Sequence, residues 1–88
     1  MPTAPPSSLT VRVVLFASYA EELGFEALAL TLPAPASVGA VVERLRGLPG
    51  GDHLPPKPLC ARNLAHSDPG EPVADGDEIA ILPPLAGG

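Results

Sequence analysis

Residues Ser37–Leu48 read SVGAVVERLRGL. The apolar side chains of Val38, Val41, Val42, Leu45 and Leu48 recur at i, i+3, i+4 and i+7, which puts them on one stripe of an α-helix. Ser37 stands where an N-cap belongs, because its hydroxyl can accept from a free backbone N–H of the first turn. Pro49 and the pair Gly50-Gly51 stop the helix. Glu43, Arg44 and Arg46 lie off the stripe and read as a solvated face. Gly39 falls in the first turn, where glycine costs less than at mid-helix. One amphipathic helix cannot bury its stripe alone. It must lie across a sheet, so the chain reads as α+β.

The strands lie on both sides of that helix. Leu9–Ala17, LTVRVVLFA, alternates: Leu9, Val11, Val13 and Leu15 share one face, and Thr10, Arg12, Val14 and Phe16 share the other. The second face is only partly polar, so a central strand covered on both sides is expected. SYAEELG follows, with Ser18 and Glu21 in the spacing of a capping box and Gly24 as the stop, which predicts a short helical turn. Phe25–Leu32 forms a second strand, with Leu28, Leu30 and Leu32 on one side, and Pro33 and Pro35 end it. After the helix, Pro49–Pro58 is a loop rich in breakers, and Leu59–Asn63 is a third strand. HSDPGEP reads as a turn around Pro69-Gly70. Asp75-Gly76 turns the chain into a last strand, Glu78–Leu82. The expected layout is a leader over 1–8, one domain over 9–84 and an extended tail over 85–88.

Composition narrows the function classes. Of 88 residues, 45% are hydrophobic but only Phe16, Tyr19 and Phe25 are aromatic, so the core must be aliphatic. The net charge is −5, and the five basic residues are scattered, so no basic stripe exists to hold nucleic acid. An acidic protein is better matched to a basic protein surface. A single cysteine, Cys60, excludes an internal disulfide and reads as a small core residue. His53 and His66 have no ligand-like spacing, and no metal site is expected. The first residues lack a charged and apolar targeting pattern, and no apolar run could span a membrane. The expected address is the cytoplasm. Asp75 and Asp77 are close carboxylates, but nothing nearby would separate their pKa values, so they read as turn residues.

The chain closes on ILPPLAGG. Two terminal glycines arise by chance at roughly 0.5%, given an average glycine usage of about 7%. The α-carboxyl of Gly88 is ionised at neutral pH and is a poor electrophile until activated. Gly87 and Gly88 have no Cβ, so this end could pass through a narrow channel. Pro83 and Pro84 hold it extended and unpaired. From Leu82 to Gly88 the maximum reach is about 20 Å, at roughly 3.3 Å per residue.

LFASYAEELG after the first strand, the short strand closing on Asn63 and the ending ADGDEIAILPPLAGG resemble the small subunit of molybdopterin synthase. That family is a set of sulfur carriers with the ubiquitin-like β-grasp fold, a mixed sheet of four to five strands with one main helix across one face. The resemblance runs from Val11 to Gly88 and implies that the first and last strands are parallel neighbours. It implies that an adenylating activating enzyme uses ATP on Gly88, and that a sulfur donor then leaves a thiocarboxylate there. The large subunit of the synthase would take that sulfur for the dithiolene of molybdopterin. The carrier would bind no cofactor of its own and would not be an enzyme by itself. Leu85, Ala86 and Gly87 would thread with Pro83 and Pro84 into the partner. Ile79 and Ile81 should face the core, leaving Ala80 and an exposed Leu82 on an outer face that docks both partners. A carrier for thiamin, cysteine or tRNA thiolation shares the Gly-Gly end, and a ubiquitin-like modifier or interaction module is the alternative of a different class.

Overall fold

The computed structural model describes residues 8–83. Of the expected leader over 1–8, residues 1–7 lie outside the described residues and Ser8 is already strand, paired to a neighbour; the whole of the expected tail over 85–88 also lies outside the described residues. The chain runs β1 (Ser8–Leu15), α1 (Ala17–Leu23), β2 (Ala27–Pro33), β3 (Ala36–Ser37), α2 (Val38–Arg46), a 3-10 turn (Gly51–His53), β4 (Leu59–Arg62), β5 (Ala65–Ser67), β6 (Pro72–Val73) and β7 (Glu78–Leu82). Five strands form one mixed sheet in the order β2-β1-β7-β4-β5, and β3 pairs with β6 in a separate ribbon. β1 and β7 are parallel neighbours, with Val13 opposite Ile79 and Leu15 opposite Ile81. The other pairings in the large sheet are antiparallel.

α2 covers one face of that sheet, and its stripe does the work the sequence assigned to it. Val38, Val41, Val42 and Leu45 are buried in one cluster with Val11, Val13, Ile79 and Ile81, while Leu48 packs half-buried at its edge. Each fully buried side chain of this size contributes roughly 1.5–3 kcal/mol. Ser37 caps the helix, its Oγ accepting from the Ala40 N–H at 3.2 Å. Gly39 is a close fit: a Cβ there would lie 3.1 Å from the Pro69 carbonyl oxygen, which accepts from the Gly39 N–H at 2.8 Å. Gly51 lies so close to the backbone of Leu45 and Arg46 at the end of α2 that no side chain fits.

Several local expectations need correction. β1 is central by position, but Thr10, Arg12 and Phe16 are exposed, so its second face is uncovered within the described residues. The single long helix is already committed to the other face. The capping box at Ser18 does not form: α1 starts two residues earlier than that cap would place it, Phe16 is its N-cap, and no side chain caps it. Ala17 adopts φ 52°, and this sharp turn from β1 leaves Ser18 inside the helix. β2 spans Ala27–Pro33 rather than Phe25–Leu32. The HSDPGEP stretch is only partly a turn, because His66 and Ser67 belong to β5 and Pro72 to β6. These short strands have no readable alternation, and partner strands define them.

β4 and β5 form a tight hairpin in which Arg62 pairs with Ala65, so Asn63 and Leu64 are the whole loop. Both have positive φ, 50° and 73°, as a type I′ turn demands. Asn tolerates that region; Leu does not, and its side chain is 90% exposed with no packing to offset the strain. Leu64→Gly should therefore stabilise the protein by roughly 1 kcal/mol, read as a higher urea midpoint at unchanged slope. A lower midpoint would show that Leu64 is not strained.

Candidate functional site

β7 is the strand that leads into the C-terminal segment, and three devices hold it in place. Glu78 to Ile81 pair with β1, and Ile79 to Leu82 pair with β4. Ile79 and Ile81 are completely buried on the helix side. The third device is the turn that precedes it. Gly76, at φ 88°, lets the chain reverse, and Asp75 Oδ1 accepts from the Thr10 N–H of β1 at 2.7 Å. Asp77, buried at 7% exposure, accepts from the Ala74 N–H at 2.8 Å, from Arg62 Nε at 2.6 Å and from Asn63 Nδ2 at 2.9 Å. Asn63 Oδ1 in turn accepts from the Glu78 N–H at 2.9 Å. One aspartate therefore ties the start of β7 to the β4–β5 hairpin, while its backbone carbonyl accepts from Arg12 of β1 at 2.8 Å.

These contacts set the charge state. The Ala74 N–H, then the Arg62 guanidinium and the Asn63 amide, hold the Asp77 carboxyl down at about 2 from an ordinary 3.8, against the opposing effect of burial. Such a group is a fixed anion, not a general acid or base. Asp75 and Asp77 flank the turn, as expected, but the premise that nothing nearby would shift them fails for Asp77, which Arg62 and Asn63 reach from the β4–β5 hairpin. The Cys60 thiol is pushed up to about 11 by burial, so it is protonated and unreactive at neutral pH. His53 and His66 are both exposed. Among the described residues no group of three or more His, Cys, Asp or Glu side chains could hold a metal ion. No described helix is long and apolar enough to cross a membrane.

The outer face of the sheet is where surface chemistry is available. Ala80 and Leu82 of β7 are on it, both half-buried, so Leu82 is less open than expected. The register sets Val14 of β1 and Ala61 of β4 beside Ala80, and Leu59 beside Leu82. Leu59 is 39% and Phe16 is 42% exposed. Polar pairs rim this apolar strip. Arg12 and Glu78 lie 3.8 Å apart, and the hydroxyls of Thr10 and Thr31 lie 3.0 Å apart. Val14 and Phe16 were legible as a second face of β1; Leu59 and Ala61 join only through β4 pairing. Pro83 follows, half-buried, and brings no N–H to the ladder. The other residues expected to thread into a partner, Pro84, Leu85, Ala86, Gly87 and Gly88, lie outside the described residues.

A mixed sheet with parallel first and last strands, one main helix across one face and, among the described residues, an open opposite face is the ubiquitin-like β-grasp arrangement. The chain belongs to the ThiS family, whose model matches residues 13–88. Among solved structures it is similar to SAMP1 from Haloferax volcanii, at 30% identity and a TM-score of 0.76, covering 90% of this chain and 99% of that one. A molybdopterin-converting factor subunit 1 from Pyrococcus furiosus matches at 20% identity and a TM-score of 0.76, over 88% of this chain and 99% of that one. A chain in the protein–protein complex of subunits 1 and 2 of the molybdopterin-converting factor from Helicobacter pylori matches at 23% identity and a TM-score of 0.65, over 91% of this chain and 100% of that one. At those identities the last two speak for the fold alone. No curated protein matches the sequence.

Asp77 makes stability depend on acid. Its folded pKa is depressed, so its contribution is complete above about 4 and is lost as pH falls toward about 2. Asp77→Asn should remove that part of the acid dependence, on the order of 1–2 kcal/mol between pH 5 and 2. Urea titrations at several pH values measure it. Parallel curves for the two proteins would contradict the assignment.

Proposed function

We propose that this protein is a sulfur carrier that acts as the small subunit of molybdopterin synthase. An adenylating enzyme joins the Gly88 carboxylate to AMP from ATP, releasing pyrophosphate and turning an inert anion into an acyl electrophile. Sulfide sulfur delivered by a donor protein displaces AMP and leaves a thiocarboxylate. The large subunit then takes the sulfur for the molybdopterin dithiolene. In this reading the base, the nucleophile and the ATP come from the partner proteins. It positions a loadable end and a docking face.

The observation that supports the reading is the arrangement around β7. The strand is anchored at its start by Asp77, ends at Leu82 where Pro83 stops pairing, and borders the apolar strip of Val14, Ala61, Ala80 and Leu59. The family match continues from this strand through Gly88. The complex of subunits 1 and 2 from Helicobacter pylori supports a partner subunit for a protein of this fold. A second reading, a ubiquitin-like modifier joined to lysines, is favoured by the 30% identity to SAMP1.

Co-production with the activating enzyme, ATP and a sulfur donor tests the carrier step. Mass spectrometry should find one oxygen of Gly88 replaced by sulfur; a Gly88 that stays a plain carboxylate rules the carrier out. Covalent joining of Gly88 to lysines of other proteins would favour the modifier. Leu82→Asp should weaken binding to the activating enzyme and to the large subunit by roughly tenfold or more, with little change in thermal midpoint, because Leu82 is only half-buried. Unchanged affinity measured by calorimetry would reject the docking face.

A further inference from the structure

Beside the apolar strip, at the junction of β1 and α1, lies a cleft of about 460 Å³. Val14, Phe16 and Ala20 give it apolar walls, and Glu21 and Glu26 line it with carboxylates. It exists because of the sharp turn at Ala17. Its φ of 52° is a strained choice for a residue with a Cβ, and it ends β1 abruptly with Phe16 outside the core. Phe16 shares the outer face of β1 with Val14, whose neighbour across the sheet is Ala80. The cleft is thus continuous with the proposed docking strip.

Its chemistry is mixed in a particular way. Glu21 and Glu26 are exposed, and among the described residues neither forms an ion pair. No basic residue lines the cleft. An aromatic ring and aliphatic walls beside two unneutralised carboxylates match a side chain with an apolar stem and a cationic head. Such a stem would find apolar contact at Val14 and Ala20, its head would be neutralised by the carboxylates, and an aromatic ring beside it can add a cation–π contact. A neutral apolar side chain would leave both carboxylates unanswered, and an acidic one would be repelled. The net charge of −5 favours approach of a basic surface over the whole molecule.

We propose that this cleft is a socket for a lysine or arginine side chain of the protein that docks on the outer face of the sheet. The inference rests on the docking reading given above. It adds the chemistry of the contact and the residues that select for it.

Calorimetry of the intact chain with the activating enzyme and with the large subunit from the same genome provides the test, at roughly 50 and 300 mM salt so that screening differs. The double variant Glu21→Gln/Glu26→Gln should bind at least one of them about tenfold or more weakly at low salt and lose much of the salt dependence. Glu21→Asp/Glu26→Asp should retain part of that salt dependence. Phe16→Ala should weaken binding at both salt concentrations. These side chains are exposed, so thermal midpoints should stay close to wild type. Leu82→Asp is measured in parallel. If Leu82→Asp weakens binding and the glutamine double variant stays within twofold of wild type for both proteins, the socket is wrong and the docking face stands. If neither variant weakens binding, the docking reading falls and the socket falls with it. If only the glutamine variant weakens binding, the partner sits over the cleft and not over β7, which upholds the socket and overturns the docking face at Leu82.

Discussion

The pairing of β7 with β1 on one side and β4 on the other is the constraint on which the rest of the molecule depends. A strand near the end of a chain is ordinarily free to fray. Here its backbone is paired on both flanks, its two isoleucines are completely buried, and its first turn is tied to both neighbours through Asp75 and Asp77. The parallel pairing with β1 also requires the chain to cross over between them, and α2 lies in that crossover. Placing β7 in the middle of the sheet therefore also sets the helix over the core. A segment leaving Leu82 departs from a rigid base.

That arrangement divides the sheet into two unlike faces. The inner face is consumed by α2, whose stripe is long enough to cover one side only. The outer face keeps small or half-buried apolar groups along β7 and its neighbours, with ion and hydroxyl pairs at the rim. Small residues such as Ala61 and Ala80 keep this face flat, which suits close approach of another surface. Acidic side chains at one end, beside Phe16, give the flat strip a charged landmark and thus a direction. The carrier reading needs these two properties together: a fixed exit for the chain and a surface that orients whatever receives it.

Much of this was legible in residue order. The i, i+3, i+4, i+7 pattern of α2, its Ser37 cap, the Asp-Gly turn and the bounds of β7 all come from local rules, and local interactions enforce them. The candidate site was legible in part. Ala80 and Leu82 follow from alternation once Ile79 and Ile81 are assigned inward. Arg62 and Asn63 were not seen as partners of Asp77, because their contact spans the sheet and leaves no trace in spacing. β3, β5 and β6 escaped notice because two or three residues carry no period. The capping box at Ser18 failed because a backbone turn at Ala17, set by where β1 meets α1, moved the helix start.

Residue order alone sets the main helix and the longer strands, the aliphatic core and the acidic character, since periodicity and composition act within a few residues. It took the assembled sheet to settle which face of β1 stays open among the described residues, which strands flank β7, and that Phe16, Glu21 and Glu26 share one cleft. Those outcomes depend on long-range pairing and on a single helix being able to cover only one side of a sheet. Neither is a property of any short stretch of chain.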